Sequence, residues 1–138
     1  MRTYQYFHRV LFEETNLVGN VYYANHIKWQ GRCREMFLFE HAPDILDLLK
    51  SSLALVTIRC GCDYFEEMMP FDEIRVEMTL EELTQTRITL HFDYWRGDAL
   101  MARGSQQVAC MNRTEQGLSV AEVPPSLKSA LEAYKKLP

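Results

Sequence analysis

From Leu53 to Arg113 the chain reads as one strand after another, and that run restricts its fold more than any other feature. Four segments, LALVTIRCGCDYFEE, DEIRVEMTLEEL, RITLHFDYWRG and LMARGSQQVACMNR, are rich in β-branched and aromatic residues. MMPFD and RGDA supply turns between them, and TEQG supplies another after them. Ahead of the run stands an alternating segment, Thr3 to Glu13, with Tyr4, Tyr6, His8, Val10 and Phe12 on one face. ETNLVGN is a loop by composition, Ala24 to Glu40 a long helix candidate, and APDILDLLKSS a short helix with Pro43 near its first turn. After Pro124-Pro125, SLKSALEAYKK places Leu127, Ala130, Leu131 and Tyr134 on one face of a last helix. Strands in a run with helices segregated from them argue an α+β fold with an antiparallel sheet and one long helix packed on it. The sequence holds no repeat, linker or low-complexity segment, so one domain over residues 1–138 is expected.

The long helix poses the chemical question. Stepping about 100° per residue gathers Lys28, Arg32 and Glu35, with Phe39 beside them, into a solvated stripe. Met36, Trp29, Cys33, Phe37, Ile27, Leu38 and Gly31 cover the remaining arc, more than half the circumference. A helix this apolar is more enclosed than a surface helix, as a sheet curling around it would explain. Gln30 and Arg34 fall in the middle of that arc. An unpartnered buried guanidinium costs several kcal/mol. Arg34 is therefore either half of a structural ion pair or a cation held ready for an anion.

Composition narrows the partners. The net charge is −4 and no basic patch opposes it, which argues against nucleic acid. No apolar run approaches the roughly 18 residues of a membrane span. MRTYQYFHRVLFEE alternates and carries charges, so a signal peptide is not expected and the cytoplasm is the expected location. Cys33, Cys60, Cys62 and Cys110 form no C-x-x-C pair and have no His or Cys at zinc-ligand spacing; reduced thiols and no metal are expected.

E-T-N-L-V-G-N-V-Y-Y-A-N followed by W-Q-G-R-C-R-E-M resembles the hot-dog-fold acyl thioesterases. The commoner motif there is D-T-D-x-x-G-x-V-Y, whose second acidic residue is the catalytic carboxylate. Here that position is Asn16, an amide. The change, with W-Q-G-R-C-R-E behind it and C-D-Y-F-E-E, F-D-E-I-R-V-E-M and F-D-Y-W-R later, resembles the subgroup serving iterative enediyne polyketide synthases. The resemblance implies a five- to six-stranded antiparallel sheet wrapped around one central helix. It implies a homo-oligomer, a dimer of dimers, with sites at subunit interfaces. The implied reaction is hydrolysis of a long polyene, often β-keto, acyl chain from the phosphopantetheine of an acyl carrier protein. The free β-keto acid then loses carbon dioxide. Asn16 and Arg34 match the subgroup's catalytic pair, and Gly19, Tyr22, Tyr23, Asn25, His26 and Glu67 are the implied substrate contacts. The position after Asn25 is usually Tyr in this subgroup, and here it is His26.

The residues support such chemistry without a cofactor. There is no G-x-S-x-G elbow, and none of His8, His26, His41 and His91 has an evident Ser partner. Electrostatics remains: the Asn16 amide, the Arg34 guanidinium and backbone N–H groups at the helix start can face one developing oxyanion. Glu13, Glu14, Glu66 and Glu67 are candidate bases, and Tyr22, Tyr23, Phe37, Phe65, Tyr94 and Trp95 candidate walls of an acyl channel. Two other readings stay open: a general acyl-CoA thioesterase, and a non-catalytic module that binds acyl chains.

Overall fold

A computed structural model describes residues 1–138. Its elements run β1 (Tyr4–Arg9), a 3₁₀ turn (Phe12–Glu14), α1 (Ala24–His41), α2 (Pro43–Leu49), β2 (Leu53–Tyr64), β3 (Glu73–Leu83), β4 (Arg87–Arg96), β5 (Ala99–Thr114), β6 (Gly117–Val120) and α3 (Pro125–Glu132). The six strands form one sheet in the order β1-β3-β4-β5-β2, with β6 on β5. Every pairing is antiparallel. The expected α+β sheet around a central helix is what the chain adopts. β1 and β2 are the two edges, each paired on one side alone.

The core lies between the sheet and α1. Alternation along β3 and β4 turns Ile74, Val76, Met78, Leu80, Ile88, Leu90, Phe92 and Tyr94 inward, each 2% exposed or less. From α1 come His26, Trp29, Gln30, Cys33, Phe37 and Leu38, at the three- and four-residue spacing of a single helix face. α3 closes the far end with Leu127 and Leu131.

Two close approaches set the seating of α1. Gln30 donates to the carbonyl oxygen of Gly61 at 3.0 Å, across the surface of Gly104. A Cβ at Gly104 would stand 2.4 Å from Gln30 Nε2 and 2.8 Å from the Gly61 oxygen, so this position requires glycine. Tyr94 Oη donates to the carbonyl oxygen of His26 at 2.7 Å and fixes the first turn of the helix.

Four expectations need correction. Met36 is 38% exposed and Ile27 and Gly31 are only half-buried, so the covered arc is narrower than their apolar character suggests. The sheet reaches one side of α1 and leaves the other open. Phe12 is not on the β1 face: the chain leaves the strand at Val10, turns, and exposes its ring. Gly117–Val120 pairs with β5 as a sixth strand, where the sequence showed only a turn. The last helix ends at Glu132 rather than running through Lys136, because Lys136 N donates to Leu80 O at 2.7 Å and draws the tail alongside β3. All four cysteines are free, as expected.

Candidate active site

Between β1 and α1 the chain makes a turn whose geometry is set by a buried carboxylate. Glu14 is 6% exposed, and its oxygens accept from His8 Nε2 at 2.7 and 2.9 Å, from Trp29 Nε1 at 2.9 Å and from the Leu11 N–H at 3.2 Å. Burial alone pushes this carboxyl's pKa up, but those donors outweigh it and hold it below its ordinary 4.5. The Glu14 carbonyl oxygen accepts from Tyr22 N and from Asn25 Nδ2, both at 2.8 Å. Glu14 thus ties both ends of the Thr15–Tyr23 loop, and as a candidate base it is already fully engaged. Glu13 lies exposed on the same turn.

Within that loop, Thr15 bridges Val21, Asn16 N donates to Asn20 O at 2.9 Å, and Gly19 N donates to Asn16 O at 3.0 Å. Gly19 has φ 90°, which a side chain would strain. The side-chain oxygen of Asn16 accepts from Val18 N at 3.0 Å. An N–H must meet an oxygen, so the amide orientation is fixed and the two Nδ2 hydrogens remain for a ligand. Val21 N donates to Met68 O at 2.9 Å and locks the loop against the segment leaving β2.

The result is a cavity of about 330 Å³ between the Asn16 loop, the start of α1 and residues 64–68. It collects Asn16, Tyr23, His26 and Glu67 from among the expected site residues, together with Glu66 and Phe65. Tyr64, Asn20, Val21 and Met68 complete the wall. The Asn20 Oδ1 is buried and has no partner within the chain. Asn20 belongs to the E-T-N-L-V-G-N motif but is not among the expected site residues; it becomes a wall residue because the loop folds back on itself.

His26 sits under this cavity, 4% exposed. Its Nδ1 lies 3.2 Å from the Tyr23 carbonyl oxygen, which also accepts from Tyr64 Oη at 2.8 Å. Burial lowers the imidazole pKa to about 4, so the ring is neutral near pH 7. Burial likewise raises the Tyr64 phenol to about 12.

Other expected contacts lie elsewhere. Asn25 spends its amide on Glu14, Tyr22 packs against Tyr23 in a tilted pair with centroids 4.6 Å apart, and Gly19 shapes the turn; none of the three lines the cavity. Phe37 packs edge-on against Tyr4 and Tyr134 in the core. Tyr94 is buried, and the Trp95 ring faces Arg75 with the cation 5.8 Å from its centroid.

Arg34 is also outside the Asn16 cavity. It stands eight residues beyond His26, about 12 Å along the helix axis. It opens instead on a second hollow of about 540 Å³ with Leu46, Leu49, Leu55 and Arg113 among its walls. Its Nη1 donates to Gln106 Oε1 at 2.7 Å, and its buried Nε has no partner. Burial lowers the guanidinium pKa, with Glu35 opposing. The structural ion pair is therefore absent within the chain: the partner is a neutral amide.

Comparison with known proteins matches this geometry to one superfamily. The sequence profile described as the thioesterase-like superfamily matches residues 10–131. The fold is similar to that of the dynemicin thioesterase, 46% identical, with a TM-score of 0.96 and coverage of 99% of this chain and 100% of that one. The crystal structures of that protein concern induced-fit and allosteric effects upon polyene binding. A 1,4-dihydroxy-2-naphthoyl-CoA thioesterase from Synechocystis is 19% identical with a TM-score of 0.84, covering 94% of this chain and 96% of that one. A gentisyl-coenzyme A thioesterase is 21% identical with a TM-score of 0.82, covering 92% and 98%. These last two show a common fold.

Proposed function

The chain belongs to the thioesterase-like superfamily and is a thioester hydrolase, and we propose that it releases a polyene β-ketoacyl chain from the phosphopantetheine of an acyl carrier protein. The observation that carries the proposal is Asn16: its oxygen is held by Val18 N, leaving its amide hydrogens as donors at a cavity floored by neutral His26. Such donors aimed at a thioester oxygen stabilise the tetrahedral oxyanion, and removing one costs about 10²–10³ in rate. A thioester is a reactive acyl group, and a β-keto substituent makes its carbonyl more electrophilic. The 46% identity to an enzyme studied for polyene binding supports a long unsaturated chain rather than a short acyl group.

Arg34 enters through a second copy. It and Asn16 line separate hollows of one chain, so their joint action at one carbonyl requires two chains. The open edge of β2 offers the route: unpaired strand edges favour pairing with a like edge. Leu17, Val18, Tyr22, Tyr23 and Phe65 in the loops around the Asn16 cavity, with Tyr64 at the end of β2, are exposed apolar side chains suited to cover by a neighbour. In the proposed assembly, two such dimers pair into a tetramer.

Hydrolysis of one β-ketoacyl group offered on a carrier protein and on coenzyme A tests the reading. The expected result is a preference for the carrier protein of at least roughly tenfold in kcat/KM, worth about 1.4 kcal/mol. The products should be the free thiol and a β-keto acid that gives a methyl ketone on losing carbon dioxide. Equal kcat/KM would point to a general acyl-CoA thioesterase. Absence of hydrolysis on both would leave an acyl-binding module.

A further inference from the structure

His26 is the one enclosed titratable side chain of the Asn16 cavity. Its ring is held on three sides by Tyr64, Trp29 and Tyr94, with centroids 4.6, 5.4 and 5.7 Å away. Its Nδ1 faces the Tyr23 carbonyl, which can only accept, so Nδ1 carries the hydrogen. In the neutral ring Nε2 then has a free lone pair, and no protein group donates to it. A nitrogen oriented by a backbone carbonyl, bare on its other side and walling the same cavity as the Asn16 amide has the arrangement of a general base.

We propose that His26 Nε2 takes the proton of the attacking water, an inference that rests on the hydrolase reading above. The water oxygen bonds to the thioester carbon as its proton passes to Nε2, and the carbonyl π pair becomes an oxyanion held by the Asn16 amide. The oxyanion then reforms the C=O bond, the C–S bond breaks, and the departing sulfur takes the proton from Nε2. Thioester and water become acid and thiol, and His26 returns to its neutral form. During the step Nδ1–H keeps its backbone acceptor, which steadies the transient imidazolium.

The other titratable groups facing the cavity are poorer bases. Glu66 and Glu67 are exposed carboxylates on a loop, Glu66 lying 4.0 Å from Arg96. The Tyr64 hydroxyl keeps its proton and donates it to Tyr23 O. Tyr23 is exposed and its hydroxyl lies toward Tyr22, 3.5 Å away. Tyr94, behind the ring, donates to the backbone. Among them, His26 alone combines a fixed position with an open acceptor. A base with its pKa pushed down to about 4 is weak, so the expected contribution sits at the low end of the range for general bases, about 10².

The test is steady-state hydrolysis of a β-ketoacyl-coenzyme A by the wild-type protein and by His26→Phe, which keeps an aromatic ring and removes the acceptor. Expected for the variant are a kcat down about 10² with KM within a few-fold, and a kcat that climbs tenfold per pH unit between pH 6 and 8 as hydroxide replaces the assisted water. The wild-type kcat should stay flat over the same range. A purely structural role would leave the shape of the pH profile unchanged. Glu67→Gln, run alongside, tests the competing carboxylate: whatever its effect on KM, its kcat should keep the flat wild-type pH profile. If His26→Phe does not fold, His26→Gln takes its place with the same reading. A folded His26 variant with wild-type kcat and a flat profile, or a hydroxide-like slope in Glu67→Gln instead, overturns the assignment and leaves the hydrolase reading intact. No thioester hydrolysis by the wild-type protein would overturn the hydrolase reading itself, and with it the base.

Discussion

Nη1 of Arg34 donates to Oε1 of Gln106 at 2.7 Å, from the middle of α1 to β5, 72 residues away in sequence. The partner of a largely buried cation is thus neutral, and replacing the arginine strands no carboxylate. Arg34→Met removes a poorly compensated charge and leaves one amide oxygen without a donor, effects of opposite sign and each about 1–3 kcal/mol. The variant should keep its fold and melt within a few degrees of wild type, while kcat falls by about 10² or more. Thermal melts and thioester kinetics on one preparation decide the point. An early-melting but fully active Arg34→Met would show the residue to be structural.

The Glu14 carboxylate should behave in the opposite way. Its oxygens meet three donors in a buried setting, and removing the charge leaves His8 and Trp29 competing for a single amide oxygen. Leaving buried donors short of an acceptor in this way costs about 1–3 kcal/mol. Glu14→Gln should lower the urea midpoint accordingly. It should also raise KM or reduce kcat, since the Asn16 loop loses its anchor. A midpoint unchanged from wild type would mean the network contributes nothing to holding the loop.

Much of the framework is legible in the sequence. The helix reading of Ala24 to Glu40 misses the observed end by one residue, β2 to β4 fall within their strand segments and β5 exceeds its own by one residue at each end, because periods of 3.6 and 2 are imposed locally by burial. β6 left no such trace: all four of its residues are exposed, so nothing alternates. The Glu14 network was not legible, since its donors come from positions 8, 11 and 29 and meet only after the turn has formed. Helix phase placed Arg34 on the covered side, while Gln106 could not be paired with it from sequence. The Asn16 loop was marked by its residues; the wall formed by Tyr64 and Met68 depends on the Val21–Met68 hydrogen bond across the fold.

Acid stability should report His26. In the folded protein its pKa is depressed to about 4 from an ordinary 6.5. The unfolded chain therefore binds the extra proton first as pH falls, so stability is complete above about 6.5 and drains away toward 4. Between pH 6.5 and pH 5 the loss should be about 2 kcal/mol. The Glu14 carboxyl, depressed below 4.5, adds a loss of the same sign only at lower pH. Urea unfolding at pH 7, 6 and 5 should show this slope in the wild type and a markedly flatter one in His26→Phe. Equal slopes would mean that the ring is not held neutral in the fold.

The two-chain site makes a prediction that a one-chain site cannot. Asn16→Ala and Arg34→Met should each be nearly inactive alone. If each site takes Asn16 from one chain and Arg34 from its neighbour, a mixed dimer carries one site with both defects and one with neither. Unfolding and refolding the two variants together gives about half mixed dimers, each with one intact site of two, so roughly a quarter of wild-type activity should return. If both residues serve a site from the same chain, every site in every dimer keeps one defect and nothing is regained. Mixing the two without unfolding controls for exchange during the assay. Light scattering on the wild type must first show more than one chain per particle; a monomer mass at micromolar concentration would retire the shared site before any mixing is done.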